Sequence, residues 1–167
     1  MKNKNRKKGS GRRKMIFILT WVAGLAIGLI TAIFNPNIDT FKEFCTNLLF
    51  YQLTVSISLS GLIGFWGHVF KSDMIADQIG WSKGSPFQKE LGYAELGFAI
   101  AGIMCIWYGK EFWLATIVLV TPLFILAGIN HIREMVVNKN IHPHNAITSI
   151  PDLLMPLSWI FLWICSK

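Results

Sequence analysis

Long apolar runs separated by short polar stretches dominate the hydrophobic pattern of this chain. Residues 15–34 contain no charged side chain, and residues 45–70 contain no Lys, Arg, Asp or Glu and a single histidine, His68. A helix of about 20 apolar residues crosses the hydrocarbon core of a bilayer. Both runs therefore predict transmembrane helices, and the first is longer than the roughly 7–15 apolar residues of a signal peptide.

The third predicted helix begins at a start signal in the sequence. Ser85 can cap the first turn, Pro86 suits the first helical position, and Gln88 completes a capping box three residues after the serine. These residues predict a helix over 86–108. Aromatic residues flank the charged turn at 109–111 and indicate a membrane interface, where Trp and Tyr are enriched.

Two further helices are predicted in the C-terminal third of the chain. The first spans 112–135 and contains Pro122, which lacks an N–H and should bend the helix. The second follows a cap pattern at Ser149 and is uncharged only over 153–165. We therefore predict an all-α polytopic transmembrane bundle of five helices, with four helices plus a half-inserted C-terminal helix as the alternative. Residues 15–167 would form this single domain.

The composition and charge distribution support a membrane protein. Hydrophobic residues make up 53% of the chain and charged residues 15%, whereas soluble domains carry about 25% charged residues. Eight of the 16 Lys and Arg residues lie within residues 1–14, and no acidic residue lies there. This basic tail predicts a cytoplasmic segment that contacts anionic lipid. No basic helix accompanies it, so we expect no nucleic-acid partner.

The remaining Lys and Arg residues predict the orientation. With five crossings and a cytoplasmic N-terminus, 13 basic residues lie on the cytoplasmic side and three, Lys42, Lys110 and Lys167, on the other. This bias predicts a multi-pass protein of the cytoplasmic membrane. The lipid bilayer would surround the helices. Small residues at helical spacing, such as Gly24 and Gly28, indicate close contacts between helices, either within the chain or in a homo-oligomer.

Ionisable residues inside the predicted helices form the candidate functional site. Glu95 lies about ten residues inside the third helix, where a carboxylate needs a proton, a histidine or an arginine as partner. Asp152 is predicted in the same, cytoplasmic leaflet of the membrane. A simpler role as a first-turn residue of the last helix would explain it. The candidate polar or substrate cluster comprises His68, Glu95, His131, Arg133 and Glu134.

Three functions remain open for this cluster. A small transporter would use it as a proton or substrate site. A membrane metal or haem enzyme is the first alternative, because His131 and Glu134 are one helical turn apart and, with His68, could supply metal ligands. A non-catalytic accessory subunit, in which the cluster is structural, is the second. The sequence identifies no cofactor, and His142 and His144 form a weaker candidate in a polar stretch.

Two sequence blocks carry a resemblance to known proteins. They are GW-x-x-GSPFQ-x-E-x-G-x-A-x-LGF at residues 80–98 and G-x-x-HIREM at residues 128–135. Over roughly residues 67–157, they resemble a family of small prokaryotic integral membrane proteins catalogued as a domain of unknown function. That family usually has Asn or a similar residue at the position of Glu95. In layout alone, the chain also resembles the four-helix DoxX-type membrane proteins. The resemblance implies a multi-pass protein with a cytoplasmic-side motif that includes Trp81, Ser85, Pro86, Phe87, Gln88 and Glu90.

Overall fold

The computed structural model describes residues 16–167, and the basic tail predicted for residues 1–14 lies outside this range. The described chain forms six helices and no strand. The helices are α1 (Ile16–Phe34), α2 (Phe41–Phe70), α3 (Ser72–Ile79), α4 (Phe87–Met104), α5 (Lys110–Val137) and α6 (Pro143–Cys165). Four of them, α1, α2, α5 and α6, are long and apolar enough to cross a membrane, as expected for a multi-pass membrane protein.

The predicted count of five spans is not confirmed by helix length and hydropathy. Helix α4, which corresponds to the third predicted span, has 18 residues but carries charges at Lys89, Glu90 and Glu95, and it is not among the four candidate spans. The half-inserted C-terminal helix of the alternative is not supported by helix length, because α6 has 23 residues and is a candidate span. Helix α6 begins at Pro143, six residues before the predicted cap at Ser149.

The capping box predicted at Ser85 does not form. The Gln88 side chain instead donates from Nε2 to the carbonyl oxygen of Ser72 at 2.9 Å, which ties the start of α4 to α3. A capping box does form at the start of α2. There, the backbone N–H of Glu43 donates to Thr40 Oγ1 at 3.2 Å, and the N–H of Thr40 donates to Glu43 Oε2 at 3.0 Å.

The antiparallel course of the helices creates two ends of the bundle. The start of α1, the end of α2, α3, the end of α5 and the start of α6 surround one cavity, and we call this the first end. At the opposite end, Lys110 Nζ at the start of α5 donates to the carbonyl oxygen of Ser166 after α6 at 2.6 Å. Ionisable residues near the end of α2, the end of α5 and the start of α6 therefore share the first end.

A buried amide in the middle of α2 links three helices. Residues Gln52–Ile57 form a π-helical segment, a feature that often occurs at functional sites. Gln52 Nε2 donates to the carbonyl oxygen of Trp21 at 3.1 Å, and its Oε1 accepts a bond from Trp159 Nε1 at 3.2 Å. Because Gln52 and Trp159 are fully buried, these bonds satisfy polar atoms that water cannot reach. They hold α1 and α6 against α2.

Small residues bring α2 into backbone contact with α4. A Cβ atom added to Gly61 would lie 2.5 Å from the carbonyl oxygen of Glu95 and 2.7 Å from the backbone nitrogen of Ala99. One added to Gly102 would lie 2.8 Å from the carbonyl oxygen of Leu53. Such approaches require residues without side chains, as in other helix pairs of membrane proteins. They place Glu95 directly against α2.

Candidate functional site

Two histidine–carboxylate pairs lie at the first end of the bundle. His68, near the end of α2, places Nε2 3.8 Å from Oε1 of Glu95 on α4. His131, near the end of α5, places Nε2 3.7 Å from Oδ2 of Asp152 on α6. None of the four side chains is more than 17% exposed. Four helices thus contribute one ionisable side chain each to a set that we call the paired site.

The two pairs are neighbours within one region of the bundle. The carboxylates of Glu95 and Asp152 are close enough to interact electrostatically. His68 and His131 line the same cavity, which has a volume of about 130 Å³ and five isoleucines in its wall. His144 also lines this cavity. The structure therefore joins acidic and imidazole side chains beside a small, largely apolar space.

The His131–Asp152 pair is held firmly by its surroundings. His131 Nδ1 lies 2.8 Å from Asn145 Oδ1, and Asn145 Nδ2 donates to the carbonyl oxygen of His131 at 3.0 Å. The ring of Trp81 stacks on the imidazole, with ring centroids 5.4 Å apart and an angle of 29° between the planes. The imidazole is therefore fixed both at its edge and on its face.

The His68–Glu95 pair has unused hydrogen-bonding capacity. Nδ1 of His68 and Oε2 of Glu95 are buried and have no hydrogen-bond partner among the described residues. The 3.8 Å between Nε2 and Oε1 is also longer than a hydrogen bond. A buried polar atom without a partner costs about 1–3 kcal/mol. This pair therefore provides the atoms of the paired site that can accept a proton or a polar ligand.

Gly64 makes room for the Glu95 carboxylate. A Cβ atom at this position would lie 2.5 Å from both Cδ and Oε1 of Glu95. On the same face of α2, Gly61 allows the α4 backbone to approach. The carboxylate therefore occupies the space that the absent side chain of Gly64 leaves on α2.

The structure brings together three of the five predicted cluster residues: His68, Glu95 and His131. Arg133 is exposed and forms no ion pair within the described part of the chain. Glu95 thus pairs with a histidine, one of the partners expected for it, and not with Arg133. The Glu134 side chain does not join the paired site. Its Oε1 accepts a hydrogen bond from Asn138 Nδ2 at 2.7 Å.

The proposed metal ligands His68, His131 and Glu134 are not assembled into a site. Within residues 16–167, no group of three or more His, Cys, Asp or Glu side chains could hold a metal ion. The one-turn spacing of His131 and Glu134 on α5 does not bring them to a common ligand position, because His131 faces α6 and Glu134 bonds along its own helix.

Helix α6 contributes two residues to the site that the sequence pattern did not assign to it. Asp152, interpreted as a first-turn residue, is the tenth residue of the helix and pairs with His131. Asn145 precedes the predicted helix start at Ser149, yet it belongs to α6 and is fully buried. Pro143 was the available signal, because proline at the first helical position marks a helix start.

The predicted motif contributes mainly through Trp81, which stacks on His131. The preceding Gly80 has φ +75°, and a Cβ there would meet the Asn140 side chain at 2.7 Å. Asn140 Nδ2 in turn donates to the carbonyl oxygen of Ile79 at 2.8 Å, which holds this turn against the chain before α6. Gln88 is partly buried, and the remaining motif residues are exposed: Ser85, Pro86, Phe87 and Glu90.

Comparison with known proteins gives one family. The family of unknown function DUF6790 matches residues 14–167, which include all six described helices and the whole paired site. No curated protein and no solved structure matches the chain. The expected membership of a family of unknown function is confirmed at this level. The chain belongs to DUF6790, a family of unknown function.

Proposed function

We propose that this protein is a small transporter-like membrane protein whose paired site takes up and releases protons. The observation that supports it is the meeting of two histidines and two carboxylates from four helices inside an apolar bundle. Ionisable side chains within the membrane are costly and typically mark proton or substrate pathways. Imidazole changes its charge near neutral pH, which suits it to proton exchange with a carboxylate.

Within the paired site, the exchanging group is the His68–Glu95 pair. Its two unpartnered atoms can bind a proton or a polar solute without breaking an existing hydrogen bond. The His131–Asp152 pair, in contrast, is held by Asn145 and Trp81. The anchored pair provides a fixed charge environment beside the exchanging one.

The proposed arrangement in the membrane includes α4 as a fifth crossing. Contacts of α4 with α2 run from Gly92 beside His68 to Gly102 beside Leu53, so the two helices lie along each other. A helix packed in this way can carry Glu95 through the bilayer, because its carboxylate faces α2 and not lipid.

The first end is assigned to the cytoplasm. Basic residues at the two ends of the bundle support this orientation through the positive-inside rule. The basic tail would then contact anionic lipid of the cytoplasmic leaflet. The first end carries Lys71, Lys83, Lys89, Arg133 and Lys139, and the opposite end Lys42, Lys110 and Lys167.

Glu95→Gln is expected to reduce proton flux roughly tenfold or more, because glutamine preserves the shape of the side chain but cannot exchange a proton. The full chain would be reconstituted in liposomes that contain a pH-sensitive dye, and flux measured after an imposed pH gradient with a potassium-valinomycin potential. Glu90→Gln is the matched control, since Glu90 is exposed on the same helix, and its flux should equal that of the wild type.

Two outcomes would overturn the proposal. One is wild-type protein that gives no more flux than empty liposomes over a range of gradients. The other is Glu95→Gln protein with unchanged helix content by circular dichroism and undiminished flux. Loss of flux in Glu90→Gln as well would assign the effect to the fold of α4 and would also contradict a specific role for Glu95.

A further inference from the structure

The orientation of the Asn145 amide is determined by its neighbours. Its Nδ2 lies 3.0 Å from the carbonyl oxygen of His131 and 3.3 Å from that of Asn140. Carbonyl oxygens only accept hydrogen bonds, so the atom that faces both of them must be the donating NH₂ group. The opposite amide orientation would place three oxygens together in a buried position. Oδ1 is therefore the atom that faces His131 Nδ1 at 2.8 Å.

The amide oxygen then dictates where His131 carries its hydrogen. Oδ1 can only accept, so the Nδ1 atom of His131 must be the N–H donor. A neutral imidazole has one N–H, which leaves Nε2 without a hydrogen. This bare Nε2 faces Oδ2 of Asp152 at 3.7 Å, and two acceptor atoms in a buried site repel each other.

We infer that Asn145 is a positioning residue that fixes the Nδ1–H tautomer of His131. As a result, the His131–Asp152 pair retains one further proton, between Nε2 of His131 and Oδ2 of Asp152. That proton lies either on Nε2, which gives an imidazolium beside a carboxylate, or on Oδ2, which gives a neutral imidazole beside a carboxylic acid. In both forms the pair is neutral overall and His131 Nδ1 remains protonated. The inference goes beyond the proposed function, because it holds whether or not the site transports protons.

Among the described residues, the other group that faces a ring nitrogen of His131 is Asp152, and its Oδ2 lies 3.7 Å from Nε2, beyond hydrogen-bond distance. The titratable groups near it are Asp152 and His144 from α6, Glu95 from α4 and His68 from α2. The stacked Trp81 contacts the ring face and not its nitrogens. Among the described side chains, Asn145 makes the one hydrogen bond to the His131 imidazole that meets ordinary distance criteria.

The two pairs consequently differ in how they hold protons. His68 has no counterpart of Asn145, since its Nδ1 lacks a partner among the described residues. Its hydrogen can therefore move between the two ring nitrogens, whereas that of His131 Nδ1 cannot. Such a difference separates a fixed pair from an exchanging pair within one site.

Histidine ¹⁵N NMR of the full chain in lipid nanodiscs tests the inference directly. A protonated ring nitrogen and a bare one resonate in separate ranges, and His131 is assigned by the signals lost in His131→Gln. We expect Nδ1 of His131 in the protonated range throughout pH 5 to 8. In Asn145→Leu, the Nδ1 resonance should shift towards the bare range, because the hydrogen is then free to move to Nε2 and face Asp152.

Asn138→Leu is the matched control, since the side chain of Asn138 bonds to Glu134 on the exposed side of α5 and should leave the His131 signals unchanged. Finding Nδ1 of His131 bare in the wild type would overturn the inference. A folded Asn145→Leu protein with an unchanged Nδ1 resonance would also overturn it. The flux assay and the NMR measurement are independent. If Glu95→Gln did not reduce flux, the proposed function would fail, but the inference about His131 would still stand or fall on the NMR result alone.

Discussion

Gly61→Ala is expected to destabilise the folded protein by about 3 kcal/mol, at the upper end of the usual range for overpacked sites. The added Cβ would lie 2.5 Å from the carbonyl oxygen of Glu95 and 2.7 Å from the backbone nitrogen of Ala99. Both atoms belong to the backbone of α4, so they can give way only if the whole helix moves. A loss of this size corresponds to roughly a 150-fold change in the ratio of folded to unfolded protein.

The measurement is reversible unfolding in mixed detergent micelles, followed by circular dichroism and tryptophan fluorescence. Gly97→Ala is the control, because Gly97 lies in the partner helix α4 and a Cβ there meets nothing within 4 Å. This control should unfold at the same detergent composition as the wild type or slightly beyond it, since alanine favours helix over glycine. Equal stability of the two variants would contradict the close contact of α2 with α4.

Trp159→Ala is expected to cost about 4 kcal/mol, within the range for removing a large aromatic side chain from a core. Trp159 is the largest fully buried side chain among the described residues, and its ring packs edge-on against Phe124 with centroids 5.5 Å apart. The substitution would open a cavity. It would also remove the donor that satisfies Gln52 Oε1, so that a buried oxygen loses its partner.

Two further variants separate these contributions in the same unfolding assay. Trp159→Phe retains most of the ring volume but not the N–H, and should lose about 1–2 kcal/mol. Trp107→Ala removes a tryptophan that is 72% exposed and should leave the stability near that of the wild type. If Trp159→Ala and Trp107→Ala proved equally stable, the packing of α6 against α2 would be wrong.

The predicted elements that agree with the structure are those with a strong local signal. The apolar run 15–34 is α1, the run 45–70 is the greater part of α2, and the predicted helix 112–135 is most of α5. Helix hydrogen bonds join residues four apart, so a long apolar segment satisfies its own backbone wherever the rest of the chain lies. For this reason hydropathy and length are sufficient to locate such helices.

The start of α4 shows why a local signal can fail. The sequence offered Gln88 as the partner of the Ser85 cap, but the Gln88 side chain bonds to the carbonyl oxygen of Ser72. Helix α3, which the sequence did not predict, brings that oxygen within reach. A tertiary hydrogen bond of Gln88 therefore replaced the local one that the sequence pattern predicts.

The candidate site divides in the same way between sequence and tertiary structure. The local pattern of residues is sufficient to place Glu95 inside an apolar helix, to show that it needs a partner, and to indicate that a histidine could serve. The identity of the partner, His68, 27 positions earlier, follows from the packing of the helices, as does the pairing of His131 with Asp152, 21 positions later. Pairing depends on which helix faces meet. Glycine contacts such as that of Gly61 with α4 set those faces, and no periodicity within a single helix specifies them.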